Sequence, residues 1–314
     1  MKIAVIGTGG IGGYYGSQLI AVGEEVHFLS TQRHIDAVRE RGLIVQTDEG
    51  ERAYTPASIT TNPEEIGQVD IVLNAVKLYQ LRESMENAAP LIGENTLVIS
   101  TQNGVTAPET IAEYVGAERS VAGLCIIVSY TDAPGHIRQV GFLPKIVIGT
   151  RPLADKGKDG VDPRIDEFTK ALERGAVIAQ TSDDIERELW KKFALITTFG
   201  GVCGLARATI GQVRDYPPTR ELQIQALAEA RAVANARGIA LTEADTHDIL
   251  DRLDILSPES TTSMQRDIEA GRPCELEDLN GTLVRLGAEV GVDTPLNRIA
   301  TACMGLQIQE SSLC

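Results

Sequence analysis

Short runs of Val, Ile and Leu alternate with stretches of helical spacing through the first half of the chain. Residues 3–6 and 26–29 read as strands, with a helix over 10–22 between them. Residues 71–76 form another β-rich run followed by a helix near 81–89, and a strand over 96–100 precedes a helix around 108–115. Strands that are almost continuously apolar, separated by crossover helices, predict a parallel sheet covered on both faces. Residues 121–129 and 146–148 read as strands flanking a hairpin region with Gly and Pro. Residues 151–163 read as a surface loop, and a helix over 164–173 with a strand over 176–180 should complete the sheet. From Ser182 the period changes. Helical spacing then dominates over 184–199, 220–237, 243–253, 262–270, 275–290 and 296–309. In the fifth of these, Leu276, Leu279, Leu283 and Leu286 fall at i+3 and i+4 and predict one buried stripe.

Length agrees with two domains. The chain has 314 residues, more than one core usually spans, and the change of period divides it into an α/β domain over 1–181 and an all-helical one over 182–314. With 29 basic and 44 acidic side chains the net charge is −15. Such a polyanion is not held on nucleic acid by counterion release and is repelled by an anionic membrane. The uncharged stretch from Ile3 to Gly23 resembles a membrane span in hydropathy alone. It carries seven glycines, each costly in a continuous helix, so a buried strand, a glycine turn and a helix are expected, in a soluble cytoplasmic protein. Five cysteines at 125, 203, 274, 303 and 314 show no C-x-x-C spacing and no accompanying His cluster. This argues against a metal site and fits a reducing compartment.

The candidate chemistry begins with Gly7-Thr8-Gly9-Gly10-Ile11-Gly12, directly after the first strand and opening the first helix. In that context Gly7 permits the turn, Gly9 lets backbone approach a pyrophosphate, and Gly12 allows helix and strand to pack closely. A Rossmann-type dinucleotide-binding domain is the expectation, with Thr8, Gly10 and Ile11 part of the same cradle. After the second strand the chain reads Ser30-Thr31-Gln32-Arg33, with no acid before Asp36. Ser30 and Thr31 could donate to a ribose 2′-phosphate and Arg33 could neutralise it, so NADP(H) is favoured over NAD(H). Lys77 and Asn103 each follow an apolar strand, at the sheet edge where ligands bind. Lys192 lies in a helix that runs on into an uncharged stretch to Ala206, where burial would bring its ammonium toward proton-transfer range.

These segments recur in a fixed order: the glycine turn, Val76-Lys77, Gln102-Asn103-Gly104-Val105, Trp190-x-Lys192, Ser263-Met264-Gln265-x-Asp267, and Gly271-Arg272-Pro273-Cys274-Glu275 running to Asn280-Gly281. The set resembles the ketopantoate reductase (2-dehydropantoate 2-reductase) family over nearly the whole chain. The resemblance implies NADPH-dependent reduction of 2-dehydropantoate to pantoate, in pantothenate synthesis. It makes Lys192 the general acid and Glu275 its partner, and assigns Ser263 to the substrate carboxylate. Asn103 would contact cofactor and substrate, and Lys77 would lie near the nicotinamide. The family continues its lysine helix with asparagines four and eight positions on. This chain has Ile196 and Gly200 there, with Thr197 as the candidate substrate contact, which opens the way to a different 2-oxo acid. The arginine common after the second strand is Thr31 here. The resemblance also suggests a homodimer through the helical domain and a site between domains. The alternatives are a nicotinamide dehydrogenase of another 2-oxo acid, 2-hydroxy acid or opine, and a non-catalytic NADPH-binding sensor.

Overall fold

The structure is a computed structural model that describes residues 1–155 and 158–311, with no account of the side chains of 309–311. Part of the 151–163 loop and Cys314 therefore lie outside the described residues. The chain divides into two compact units, Met1–Ile185 and Glu186–Cys314.

The first unit opens β1 (Lys2–Ile6), α1 (Gly10–Ala21), β2 (Glu25–Leu29), α2 (Gln32–Arg41), β3 (Leu43–Thr47), β4 (Gly50–Tyr54) and β5 (Ser58–Thr60). It continues β6 (Ile71–Asn74), α3 (Leu81–Asn87), β7 (Leu97–Ser100), α4 (Ala107–Val115), β8 (Ser120–Val121) and β9 (Gly123–Ile126). Then follow β10 (Ser129–Ala133), β11 (His136–Gln139), β12 (Lys145–Gly149), α5 (Pro163–Arg174) and β13 (Ile178–Ser182). Six parallel strands form the main sheet in the order β5-β2-β1-β6-β7-β8. Alternation along each strand feeds two cores. Ile3, Val5, Ile71, Leu73, Leu97 and Ile99 face one, while Ala4, Ile6, Val72 and Val98 face the other, beneath α3 and α4.

A second sheet, β10-β11-β3-β4, was not expected from the hydrophobic pattern. It encloses α1 from the side away from β1. A methyl added at Gly16 would lie 2.5 Å from the Phe28 ring, and one at Gly13 would lie 2.6 Å from Ile137 on β11. Helix α1 is thus buried on two sides, and its small, uncharged residues follow from that. The expected strand 176–180 forms as β13 but does not complete the main sheet. It pairs with β12 in a separate sheet, β13-β12-β9. The reason lies at Gly123: its N–H donates to Ser100 Oγ at 3.2 Å, and a side chain there would meet the Ser100 carbonyl at 2.6 Å. The chain leaves the main sheet at this close crossing, after two residues of β8.

The second unit is helical: α6 (Ile185–Ala206), α7 (Ile210–Asp215), α8 (Pro217–Ala236), α9 (Glu243–Asp254), α10 (Ser263–Glu269), α11 (Thr282–Glu289) and α12 (Pro295–Ser311). Helix α6 runs past the expected end at 199, through three glycines, because each is a seat for a neighbour. A methyl at Gly200 would stand 2.8 Å from Met264 Cε, one at Gly201 2.7 Å from Asn280 Nδ2, and one at Gly204 2.5 Å from Met304 Sδ. The single helix expected over 275–290 is instead a π-turn, Glu277–Gly281, leading into α11. The four leucines are buried as the spacing requires. The widened turn carries Asn280 inward, where Nδ2 donates to the Thr197 carbonyl at 3.0 Å and to Asn297 Oδ1 at 2.9 Å. Among the described residues no helix is long and apolar enough to cross a membrane.

The start of α6 is clamped to α9. Arg187 donates to both Asp245 oxygens at 2.7 and 2.8 Å, and Lys191 lies 3.2 Å from the same carboxylate. Burial pushes the Asp245 pKa up, but hydrogen bonds from Thr242, Lys191 and Arg187 outweigh it and hold the carboxyl below the ordinary range. A depressed pKa stabilises the fold above the unfolded value of about 3.9, and that stability is lost as pH falls through the folded value. Asp245→Asn should cost about 1–3 kcal/mol near neutrality. The variant should also unfold with a shallower pH dependence below pH of about 4, a difference that denaturant midpoints measured across that range will show.

Candidate functional site

Every strand of the main sheet points the same way, so the loops after β2, β1, β6 and β7 share one edge. The helices cross to opposite faces on either side of β1, which makes the β1/β6 boundary the switch point where open sheets bind ligands. Gly7, with φ +93°, turns the chain out of β1. A side chain there would press on Val76 at 3.1 Å and on the Ala75 carbonyl at 3.3 Å. Gly9 is the N-cap of α1, with no side-chain cap and no acid in the first turn. The N–H of Gly13 makes the helix bond to the Gly9 carbonyl at 2.8 Å; the N–H groups of Gly10, Ile11 and Gly12 precede any intrahelical acceptor. Nothing stands within 4 Å of where a Gly9 side chain would begin. This is an open cradle of backbone donors at the positive end of a buried helix. The opposite wall is β10. Ser129 Oγ lies 2.9 Å from where a Gly10 methyl would sit, and it is buried without a partner. A pyrophosphate oxygen fits both observations.

The loop after β2 lies next along the edge, where Ile6 and Leu29 are paired. The Thr8 and Ser30 hydroxyls bond each other, tying the glycine turn to this loop. Thr31 caps α2 with extended backbone, and no acid enters the first turn of that helix. Thr31 and Arg33 are exposed. The Arg33 charge acts on the neighbouring His34, whose pKa is lowered by burial first and by Arg33 second. On the other side of β1, Lys77 caps a short 3-10 turn and is half-buried, as is Asn103 after β7.

Two buried amides, Asn74 and Gln102, to which sequence reasoning gave no role, hold these loops together. Asn74 is fully buried and accepts from Gln102 Nε2 at 2.8 Å, while the same Nε2 reaches the carbonyls of Asn74 and Val76 at 3.1 and 3.2 Å. The side chain of Asn74 also donates to Ser84 Oγ at 2.9 Å. A polar residue ending an otherwise apolar strand was the available signal for Asn74. Ser129 carried none, because its place beside Gly10 is a long-range contact.

The second group of candidates gathers on α6. Lys192 is half-buried in its first half. Asn280, bonded to the Thr197 carbonyl, brings the segment of the buried Glu275 against the same helix about a turn and a half further on. Met264, seated on Gly200, brings the exposed Ser263 at the start of α10. Arg272 pairs with Asp267 at 2.8 Å, closing the loop that carries the chain from Ser263 to Glu275. Met264, Asp267, Arg272 and Asn280 of the sequence motif thus hold the segments on which Ser263 and Glu275 lie. Thr197 is a correction. It is fully buried, and its hydroxyl donates to its own helix, to the Phe193 carbonyl at 2.8 Å. It braces α6 and has no donor to offer a substrate.

The comparisons with known proteins match this construction. Residues 3–152 match the family described as ketopantoate reductase PanE/ApbA, and residues 184–307 match the C-terminal part of that family. The chain belongs to the ketopantoate reductase family. It is 26% identical to the uncharacterized oxidoreductase YkpB of Bacillus subtilis, over 99% of both chains. It is 27% identical to the 2-dehydropantoate 2-reductase of Mesorhizobium japonicum, over 94% of both. The crystal structure of 2-dehydropantoate 2-reductase from Geobacter metallireducens superposes with a TM-score of 0.89 at 30% identity, covering 98% of this chain and 99% of that one. The chain is thus an oxidoreductase of this family, with a Rossmann-type sheet and a helical second unit.

The two glycines at the start of α1 separate packing from open space. Gly10→Ala places a methyl 2.7 Å from the Ser129 backbone and should destabilise by about 1–3 kcal/mol, although alanine favours helix. Gly9→Ala meets nothing and should stay within about 1 kcal/mol of the wild type. Thermal midpoints of the two variants test this directly.

Proposed function

We propose that this protein reduces a 2-oxo acid to the 2-hydroxy acid with NADPH. The observation that carries the reading is the open donor cradle at Gly9, in a chain of the ketopantoate reductase family that also carries Lys192 on α6 and a buried Glu275. When bound, the nicotinamide supplies a hydride to C2 of the substrate. The protein's own residues do the rest. The backbone N–H groups of Gly10, Ile11 and Gly12, with the Ser129 hydroxyl, hold the pyrophosphate. Thr31 and Arg33, beside a helix start without acids, hold the 2′-phosphate that distinguishes NADPH. Gln102 and Asn74 fix the loops that present Lys77 and Asn103 to the cofactor and substrate.

Negative charge develops on the ketone oxygen as C2 accepts the electron pair. The Lys192 ammonium stabilises that charge and passes a proton to the oxygen, so one hydride and one proton are consumed per hydroxy acid formed. Glu275, buried in the segment that Asn280 ties to α6, orients the ammonium, and Ser263 receives the substrate carboxylate. The names of the relatives make 2-dehydropantoate the first compound to test. A second reading, another 2-oxo acid, is favoured by Ile196 and Gly200 on the lysine helix.

Two variants divide binding from chemistry. Gly9→Ala should lose NADPH affinity by tenfold or more in titration calorimetry, because its methyl fills the cradle. Lys192→Ala should bind NADPH normally while turnover of the best 2-oxo acid falls by about 10²–10⁴. Turnover that survives loss of Lys192, or binding that survives Gly9→Ala, contradicts the assignment. Arg33→Ala should weaken NADPH by about 10–100-fold and leave NADH unchanged, as paired titrations will show.

A further inference from the structure

Helix α2 begins just after β2, and its first turn carries Thr31 and Arg33. That turn is weakly anchored by its own residues. The Thr31 hydroxyl does not cap the helix, and Gln32 bonds within it, to Asp36 at 2.7 Å. Ile35 and Val38 are buried in the sheet core. Apolar packing is non-directional, however, and does not fix where the first turn lies along the sheet edge.

His34 supplies a directional contact. The Gly135 N–H, 101 residues further along the chain, donates to its Nδ1 at 3.1 Å. A backbone N–H can only donate, so Nδ1 holds the lone pair and the ring is neutral, with its proton on Nε2. Burial and the Arg33 charge both disfavour the imidazolium, in agreement with a neutral ring. The bond is carried straight to the helix start, because the His34 N–H donates to the Thr31 carbonyl at 2.9 Å.

Gly135 forms the turn between β10 and β11, and its backbone sits directly against α2. Its φ is +70°, and a methyl there would lie 3.1 Å from Val38 Cγ2 and 3.2 Å from Ala37 Cβ. Its carbonyl accepts from the Ile44 N–H at 2.9 Å, so both polar groups of this buried glycine hold neighbouring elements. The same hairpin sets Ile137 against Gly13 and Ser129 against Gly10 of α1. One imidazole thus joins the start of α2 to the element that walls the pyrophosphate cradle.

We infer that His34 is a positioning residue for NADPH: through Gly135 it holds the first turn of α2, with Thr31 and Arg33, at a fixed place relative to the cradle on α1. The inference rests on the NADPH reading and adds a residue that acts through the backbone of another element. Spacing matters because the pyrophosphate and the 2′-phosphate belong to one molecule, and two seats held at the right separation spare the ordering cost of binding. NADH uses the first seat alone.

The test is titration calorimetry of the full chain with NADPH and with NADH at about pH 8, where an ordinary histidine is neutral. His34→Ala should weaken NADPH by about three- to tenfold, the worth of one hydrogen bond, and change NADH by less than about twofold. Retained NADH binding also shows that the fold is intact. His34→Asn places an amide oxygen near the position of Nδ1 and should restore NADPH to within about twofold of the wild type. Unchanged NADPH affinity in His34→Ala, an equal loss of both nucleotides, or no rescue by asparagine overturns the inference. A wild-type protein that binds no NADPH, or an Arg33→Ala variant that binds it undiminished, overturns the underlying NADPH reading instead.

Discussion

Helix α6 is the constraint on which the helical unit depends. A helix with three glycines in its second half has poor intrinsic stability, each glycine costing about 1 kcal/mol against alanine. Here the cost is offset by close packing, because Met264, Asn280 and Met304 each occupy the volume that a side chain would have claimed. Those three residues come from α10, the π-turn and α12, so one helix sets the positions of three others. The clamp of Arg187 and Lys191 on Asp245 fixes the rotation of α6 at its start. Lys192 follows directly, and its direction is decided by that clamp and by the seats further along. The site chemistry therefore inherits its precision from packing distributed along 22 residues.

The sheet unit reaches precision by another route. Its donor cradle is made chiefly of backbone N–H groups, with the Ser129 hydroxyl beside them, and its geometry depends on how closely neighbouring elements approach α1. Gly12, Gly13 and Gly16 admit β1, Ile137 and Phe28 against that helix. The loops that must present side chains are held instead by buried amides. Gln102 donates to Asn74 between the ends of β6 and β7, and Thr101 adds a bond to the Asn74 carbonyl at 2.7 Å. Buried amides left unpaired would cost about 1–3 kcal/mol each, which makes this edge intolerant of alternative loop paths.

The parts of this architecture that local pattern encodes could be read from the residues. The parallel strands announce themselves as runs of Val, Ile and Leu, and the glycine turn takes its meaning from the strand before it. Of the missed strands, β4 contains Glu51 and Arg52 and β5 has three residues, patterns too polar or too short to separate from loop, whereas β3 carries an apolar Leu43-Ile44-Val45 run that sequence reading passed over. The continuation of α6 beyond Phe199 was illegible because glycine normally ends helices, and only the partners reveal why it does not. Ser129 and Asn280 matter through contacts across more than 80 residues, which no local period records. Thr197 was misread for the opposite reason: a hydroxyl beside a candidate site suggests a ligand contact, yet within a helix the nearest acceptor is the chain's own carbonyl.

A net charge of −15 opposes, at long range, any site for an anionic cofactor and an anionic acid. The opposition is weak, since charges separated by more than about 8 Å are screened at physiological ionic strength. What a phosphate meets is local: two helix starts without acids in their first turns, and Arg33 beside one of them. Diffuse surface acidity and local positive potential are compatible because they act over different distances.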